Sequence, residues 1–319
     1  MWKRYPDGAP LVDLVPYEKL SVGRNPLLDL VIARKSRRRY LDQALSLEEL
    51  SFLVFAGQGA TNMYRDRNGV VTRADRTFPS AGGRYPFETY LLVQRVEGLK
   101  PGLYHYQPLR HGISLLNEDP GLPERLVAAC CGQRFIADAG VVFIWTALPY
   151  RTEWRYMEYG EKFVALDAGH LCQNVYLAAE AIEAGACAIG AYFQERVDEL
   201  LPIDGVEEFT VYLAPVGKVR AVPKVMVKTA VLERLAGTYV LDFPEGEGRK
   251  LCIALRGNVL SLEPEGADPH ELTAESETVF HLKGIEDIRI IFECDEQGKA
   301  IGLILDQAGK MANARRLKV

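Results

Sequence analysis

Apolar and polar positions divide the chain into helix-like and strand-like stretches whose texture changes after Pro223. Ser46-Leu47-Glu48-Glu49 has the form of a capping box. Leu47, Leu50, Leu53 and Val54 then recur at helical spacing until Gly57 and Gly59 end the run. Residues 25–33 are also apolar-periodic and lead into a basic cluster. Further helices are expected at 124–131, 151–184 and 194–201, and strands at 88–95, 102–107, 113–116, 140–147, 187–192 and 208–216. Residues 60–78 are polar and charged without periodicity and read as a mobile loop. Between 236 and 317 about eight short β-rich runs are split by turn signals such as Arg256-Gly257-Asn258 and Gln297-Gly298. Runs at that spacing predict a meander closing into a small barrel or sandwich. The expected division is a first domain at 1–222 and a β-rich domain at 228–319.

Composition narrows the class. A formal net charge of −5 supplies no global basic field, so neither nucleic acid nor an anionic membrane is expected as the main partner. The opening MWKRYPDGAPLVDL lacks the continuous apolar run of a signal peptide. The most apolar stretch, Val141-Val142-Phe143-Ile144-Trp145, is too short to span a bilayer. Cysteines at 130, 131, 172, 187, 252 and 294 form no C-x-x-C pair, so buried reduced thiols are expected rather than a zinc site or disulfide framework. These features together suggest a cytoplasmic protein.

Three stretches carry candidate chemistry. In Arg34-x-Ser36-x-Arg38, two cations with a hydroxyl between them can converge on one phosphate, although a solvated helix end has the same composition. Pro79-Ser80-Ala81-Gly82-Gly83 allows close backbone approach to a flat or anionic ligand, or simply makes a tight turn before a strand. It is neither a P-loop nor a dinucleotide fingerprint. The small residues of Gly185-Ala186-Cys187-Ala188-Ile189-Gly190-Ala191-Tyr192 can admit an aromatic ring, or pack densely under the helix before them.

In this order, PSAGGRYPFETYL (79–91), GLYHY (102–106), LDAGHLCQNVYLAAEA (166–181) and GACAIGAY (185–192) resemble the FMN-dependent nitroreductase superfamily over residues 25–220. The likeness is greatest to its SagB-type dehydrogenase and azoline oxidase branch. The resemblance implies an α+β fold, a sandwich of a mostly antiparallel sheet flanked by helices, forming a homodimer with FMN at the subunit interface. It assigns Arg34, Ser36 and Arg38 to the ribityl chain and phosphate, and Lys35 to the pyrimidine edge. Pro79, Ser80, Ala81, Gly82 and Gly83 would reach the isoalloxazine from the other subunit. Ile189, Gly190 and Ala191 would lie at flavin N5 and O4, and Lys218 or Arg220 would complete the phosphate site. The implied activity is hydride transfer from NAD(P)H through the flavin to a small aromatic, nitro or quinone-like acceptor.

The alternatives are a SagB-type dehydrogenase oxidising a heterocycle, and a non-catalytic flavin- or ligand-binding protein. Azoline oxidases are similar to one another in a Lys-Tyr pair before the helix, where this chain has Arg155-Tyr156. Tyr156 can donate a proton, but an arginine stays protonated and makes a poor base. His170 reads as a hydrogen-bonded structural histidine. The phrases LAGTY (235–239) and GKAIGL (298–303) resemble the lipocalin-like domains that follow some β-lactamase-fold enzymes.

Overall fold

A computed structural model describes residues 10–220, 225, 227–241, 250–264, 268–283, 285–307 and 310–317. They fall into two compact units divided after Arg220. The first holds strands β1 (Leu11–Asp13), β2 (Ala60–Arg65), β3 (Val71–Arg76), β4 (Phe87–Val93), β5 (Gly102–Gln107), β6 (Gly112–Asn117), β7 (Val141–Ala147), β8 (Ala184–Ala186) and β9 (Phe209–Lys218). Its helices are α1 (Leu27–Ala33), α2 (Leu47–Gln58), α3 (Leu122–Ala129), α4 (Tyr150–Tyr156), α5 (Gly160–Ala181) and α6 (Gln194–Asp198).

One antiparallel sheet runs β1-β6-β5-β4-β7-β9-β8. Its central strands β4 and β7 are buried along their whole length. Alternation sends Leu91, Val93, Phe143 and Trp145 into a core shared with α2 and α5. The intervening Tyr90, Leu92, Val142 and Ile144 enter a second core shared with α3 and α6. The result is the α+β sandwich expected from the resemblance. The capping box forms: Glu49 N–H donates to Ser46 Oγ (3.1 Å) and Ser46 N–H to Glu49 Oε2 (2.9 Å).

Three expectations are corrected. Residues 60–78 hold the paired hairpin β2–β3 instead of a loop. Its polar character reflects exposure, since β2 is exposed at every position after Ala60. Asp66 builds its turn by accepting the N–H groups of Asn68 and Val70. The single helix expected over 151–184 is split, because Met157 takes a left-handed φ of 48° between α4 and α5. The strand expected at 187–192 is confined to Ala184–Ala186; beyond it only a bridge between Ile189 and Leu213 remains.

In the second unit, α7 (Thr229–Leu235) precedes β10 (Gly237–Leu241), β11 (Lys250–Arg256), β12 (Val259–Pro264), β13 (His270–Ala274), β14 (Val279–Leu282), β15 (Ile285–Cys294), β16 (Ala300–Gln307) and β17 (Lys310–Arg316). These eight strands close an antiparallel barrel, with β10 pairing to β17. Tyr239, Leu262, Phe280, Ile290 and Phe292 fill its core. Residues 221–224 and 226, which cover the start of the expected boundary at 222–228, lie outside the described residues. Among the described residues no helix is long and apolar enough to cross a membrane.

Candidate active site

Residues 34–38 run as an extended strip beside β8: Ser36 bridges to Ala186, and Arg37 N–H donates to Ala186 O (2.9 Å). Extended backbone sends alternate side chains to opposite sides, and the cations separate accordingly. Arg37 turns inward and forms a two-point pair with Glu180 of α5, with side chains only 11% and 7% exposed (Nε to Oε1 3.0 Å, Nη2 to Oε2 2.9 Å). Arg34 lies over the Tyr176 ring (5.5 Å to its centroid) and Arg38 over Phe135 (5.9 Å). Neither has a carboxylate partner among the described residues.

Tyr176 knits this strip to the segment after β8. Its hydroxyl accepts the Ala188 N–H (2.7 Å) and lies 2.9 Å from Ser36 Oγ. Burial pushes the Cys187 thiol up, opposed by Arg38 and Ser36, whose side chains reach it. Ahead of this junction Gly190 and Ala191 are exposed, and a Cβ built on Gly190 would meet no atom within 4 Å. The strip and the 185–191 stretch thus meet at Ser36 and Ala186, with Arg34 and Arg38 on either side of Ser36 and open space at Gly190. A ligand with a phosphate and a flat ring fits that chemistry.

The 79–83 turn is built differently. Ser80 donates its hydroxyl proton to Asp167 of α5 and accepts the N–H of Tyr85 (2.9 Å), while Ala81 N–H points to Asp167 Oδ1 (3.2 Å). The serine expected to face a ligand therefore locks the turn. Burial pushes the Asp167 carboxyl up, opposed by those bonds from Ser80 and Ala81. Gly82 and Gly83 take φ of 57° and 61°, which favours glycine at both positions. A Cβ at Gly82 would stand 2.6 Å from the Tyr156 hydroxyl and 3.3 Å from Arg155 Nε, so the two catalytic candidates border this turn. Pro79 is exposed beside it.

Asp167 and Tyr176 are nine positions apart on α5. At about 100° and 1.5 Å per residue, this puts them on opposite flanks of the helix and about 14 Å apart along it. The turn and the strip therefore dock on different sides of one helix. Between those flanks Leu166, Gly169, His170 and Gln173 form an exposed stripe. His170 has no hydrogen-bond partner among the described residues, which corrects its reading as a hydrogen-bonded structural histidine.

Lys218 is drawn elsewhere. Its ammonium donates to Glu49 Oε1 and to Ile182 O (2.7 Å each), tying β9 to α2 and the end of α5. Arg220 is exposed past β9, and Lys35 N–H approaches Glu180 Oε1 (3.4 Å). Sequence reasoning missed Tyr176, Glu180 and Asp167. A signal was available for the two carboxylates, because a buried carboxylate needs a partner.

A two-sided antiparallel sheet with an open cationic strip at its β8 edge defines the class of the first unit. The nitroreductase family model matches residues 31–218, and the chain belongs to the nitroreductase family. A provisionally named nitroreductase of Methanocaldococcus jannaschii is 38% identical over 193 residues, covering 60% of this chain and 90% of that protein. A provisionally named nitroreductase of Ralstonia eutropha, solved by crystallography, shares the fold at 23% identity and a TM-score of 0.53, over 69% of this chain and 95% of the other. A similarly named Anabaena variabilis structure is 26% identical with a TM-score of 0.49; the match covers 61% of this chain and spans 38% of that protein.

Proposed function

We propose that the protein is an FMN-dependent oxidoreductase that takes hydride from NAD(P)H and passes electrons to a small aromatic, nitro or quinone-like acceptor. One observation carries this reading: Arg34 and Arg38 stay open on the strip while Arg37 between them is locked to Glu180. Alternation along the extended strip turns Arg37 inward and leaves Arg34, Ser36 and Arg38 on its other side, where one phosphate can meet them. Arg34, Ser36 and Arg38 would hold the phosphate, with Lys35 beside the ring's polar edge and Arg220 as a further cation. The backbone at Ile189, Gly190 and Ala191 would offer polar groups to the ring. Bound FMN supplies the two-electron chemistry, and the protein supplies binding, orientation and exclusion of water.

We infer a homodimer, a reading supported by the docking of the strip and the turn on opposite flanks of α5. In that assembly a second copy would bring its 79–83 turn to a flat ring held at Gly190. Exposed Leu27, Leu28, Val31 and Ile32 on α1 offer the apolar surface that such a contact needs, with the exposed stripe on α5 beside it in the same unit. Azoline oxidation is the less favoured reading, because Arg155 beside Gly82 puts a guanidinium, a poor base, where azoline oxidases are similar in having a lysine.

The test is an anaerobic titration of FMN-loaded protein with NADH and then NADPH. Bleaching of the flavin absorbance by either nucleotide is the expected result. Flavin that stays oxidised with both would leave the protein a flavin binder without this activity.

A further inference from the structure

A cavity of about 410 Å³ opens directly beyond the 79–83 turn, lined among others by Gly83, Arg84, Tyr85, Arg73, Arg151 and Trp154. That volume suits a single substituted aromatic ring. Three guanidinium groups line it, and their neutralisation is uneven. Arg73, on β3, pairs with Asp75 (2.9 Å). Arg151 is held by buried Glu88 (2.6 Å), whose other oxygen accepts from His105 Nε2 (2.8 Å). Burial pulls the Glu88 carboxyl up, but His105 and Arg151 outweigh it and hold it at about 2. Glu88 is therefore a fixed anion that aims Arg151 and is consumed in doing so.

Arg84 has no carboxylate partner among the described residues. Its Nε donates to Gly82 O (3.2 Å), and its guanidinium lies over the Trp154 ring (5.0 Å to the centroid). Trp154 is itself 55% exposed, so an aromatic wall and an uncommitted cation stand side by side. Arg155 adds positive charge next to Gly82. The rim is also held in place: Tyr85 keeps a left-handed φ of 49°, with its N–H on Ser80 Oγ (2.9 Å) and its hydroxyl accepting from Arg76 N–H (3.3 Å). Backbone strain maintained by such bonds marks a shape the fold preserves.

We propose that this cavity selects planar aromatic acceptors carrying a carboxylate, with Arg84 binding the carboxylate and Trp154 stacking on the ring. The role as an acceptor pocket rests on the proposed function, since it requires the 79–83 turn to border the flavin. Pairing of a guanidinium with a carboxylate is charge-assisted and planar, so a neutral amide of the same shape loses most of it.

Calorimetry on FMN-saturated protein without reductant tests the idea with two probes of equal shape, 4-nitrobenzoate and 4-nitrobenzamide. The benzoate is expected to bind roughly tenfold more tightly. Arg84→Gln should bring the benzoate to the amide's Kd while leaving the amide's Kd and the flavin content unchanged. Trp154→Leu should weaken both probes together. Equal Kd values, no binding of either probe at millimolar concentration, or an Arg84→Gln protein that still prefers the benzoate would each overturn the proposal. Flavin absorbance of the same samples reports separately on the proposed function, so failure of one is not mistaken for failure of the other.

Discussion

On the 34–38 strip Arg34 and Arg38 lie over aromatic rings without a carboxylate partner among the described residues, whereas in the 79–83 turn the one polar side chain, Ser80, is turned inward onto Asp167. Both stretches are anchored by a carboxylate of α5, Glu180 for the strip and Asp167 for the turn. The strip gives Arg37 to its anchor and keeps Arg34 and Arg38 for a ligand; the turn gives up its only hydroxyl and keeps glycines. One half-site therefore offers charge and the other offers shape. A phosphate needs the first and a flat ring needs the second, which is why a single ligand is expected to require both.

The largest effect is expected where charge is spent on the fold. Arg37→Ala leaves Glu180 buried without its guanidinium and should cost about 3–5 kcal/mol of stability, read as a shift in the urea midpoint. A loss near zero would mean that the pair does not anchor the strip. Next comes the open charge. Replacing Arg34 and Arg38 together by Ala should weaken FMN binding by about two orders of magnitude with little change in the urea midpoint. Unchanged affinity in a flavin-fluorescence titration would return the cluster to mere solvation and dissolve the contrast between neighbouring arginines. The smallest effect is expected from removing residues 223–319. Every residue assigned to the flavin lies at or before Arg220, so the fragment 1–222 should remain a flavin-binding dimer by light scattering and flavin quantitation. A flavin-free monomer would make the barrel part of the site.

Much of this was legible in the chain, and the misses have physical causes. The capping box at Ser46 and the apolar-rich runs of β4 and β7 are local signals, and they appear where the pattern put them. The hairpin at Ala60–Arg76 was missed because it is largely exposed, burying little beyond Ala60 and Ala74, and so shows no apolar alternation. The break between α4 and α5 rests on one left-handed residue, Met157, which no propensity marks. At the site, residue types alone could not tell Arg37 from Arg34 or Arg38, since the distinction depends on Glu180, distant in sequence. Lys218 lies close enough in sequence to β9's end to suggest an anion site, yet Glu49 takes its charge.

The most direct test joins cofactor and assembly in one sample. Purified protein is supplied with FMN, sized by chromatography with light scattering, then denatured so that the released flavin can be identified and counted. The expected result is a dimer that releases FMN, not FAD, at one per chain. Colourless protein that takes up no added FMN would contradict the central claim, and FMN held by a monomer would contradict the division of the site between two copies.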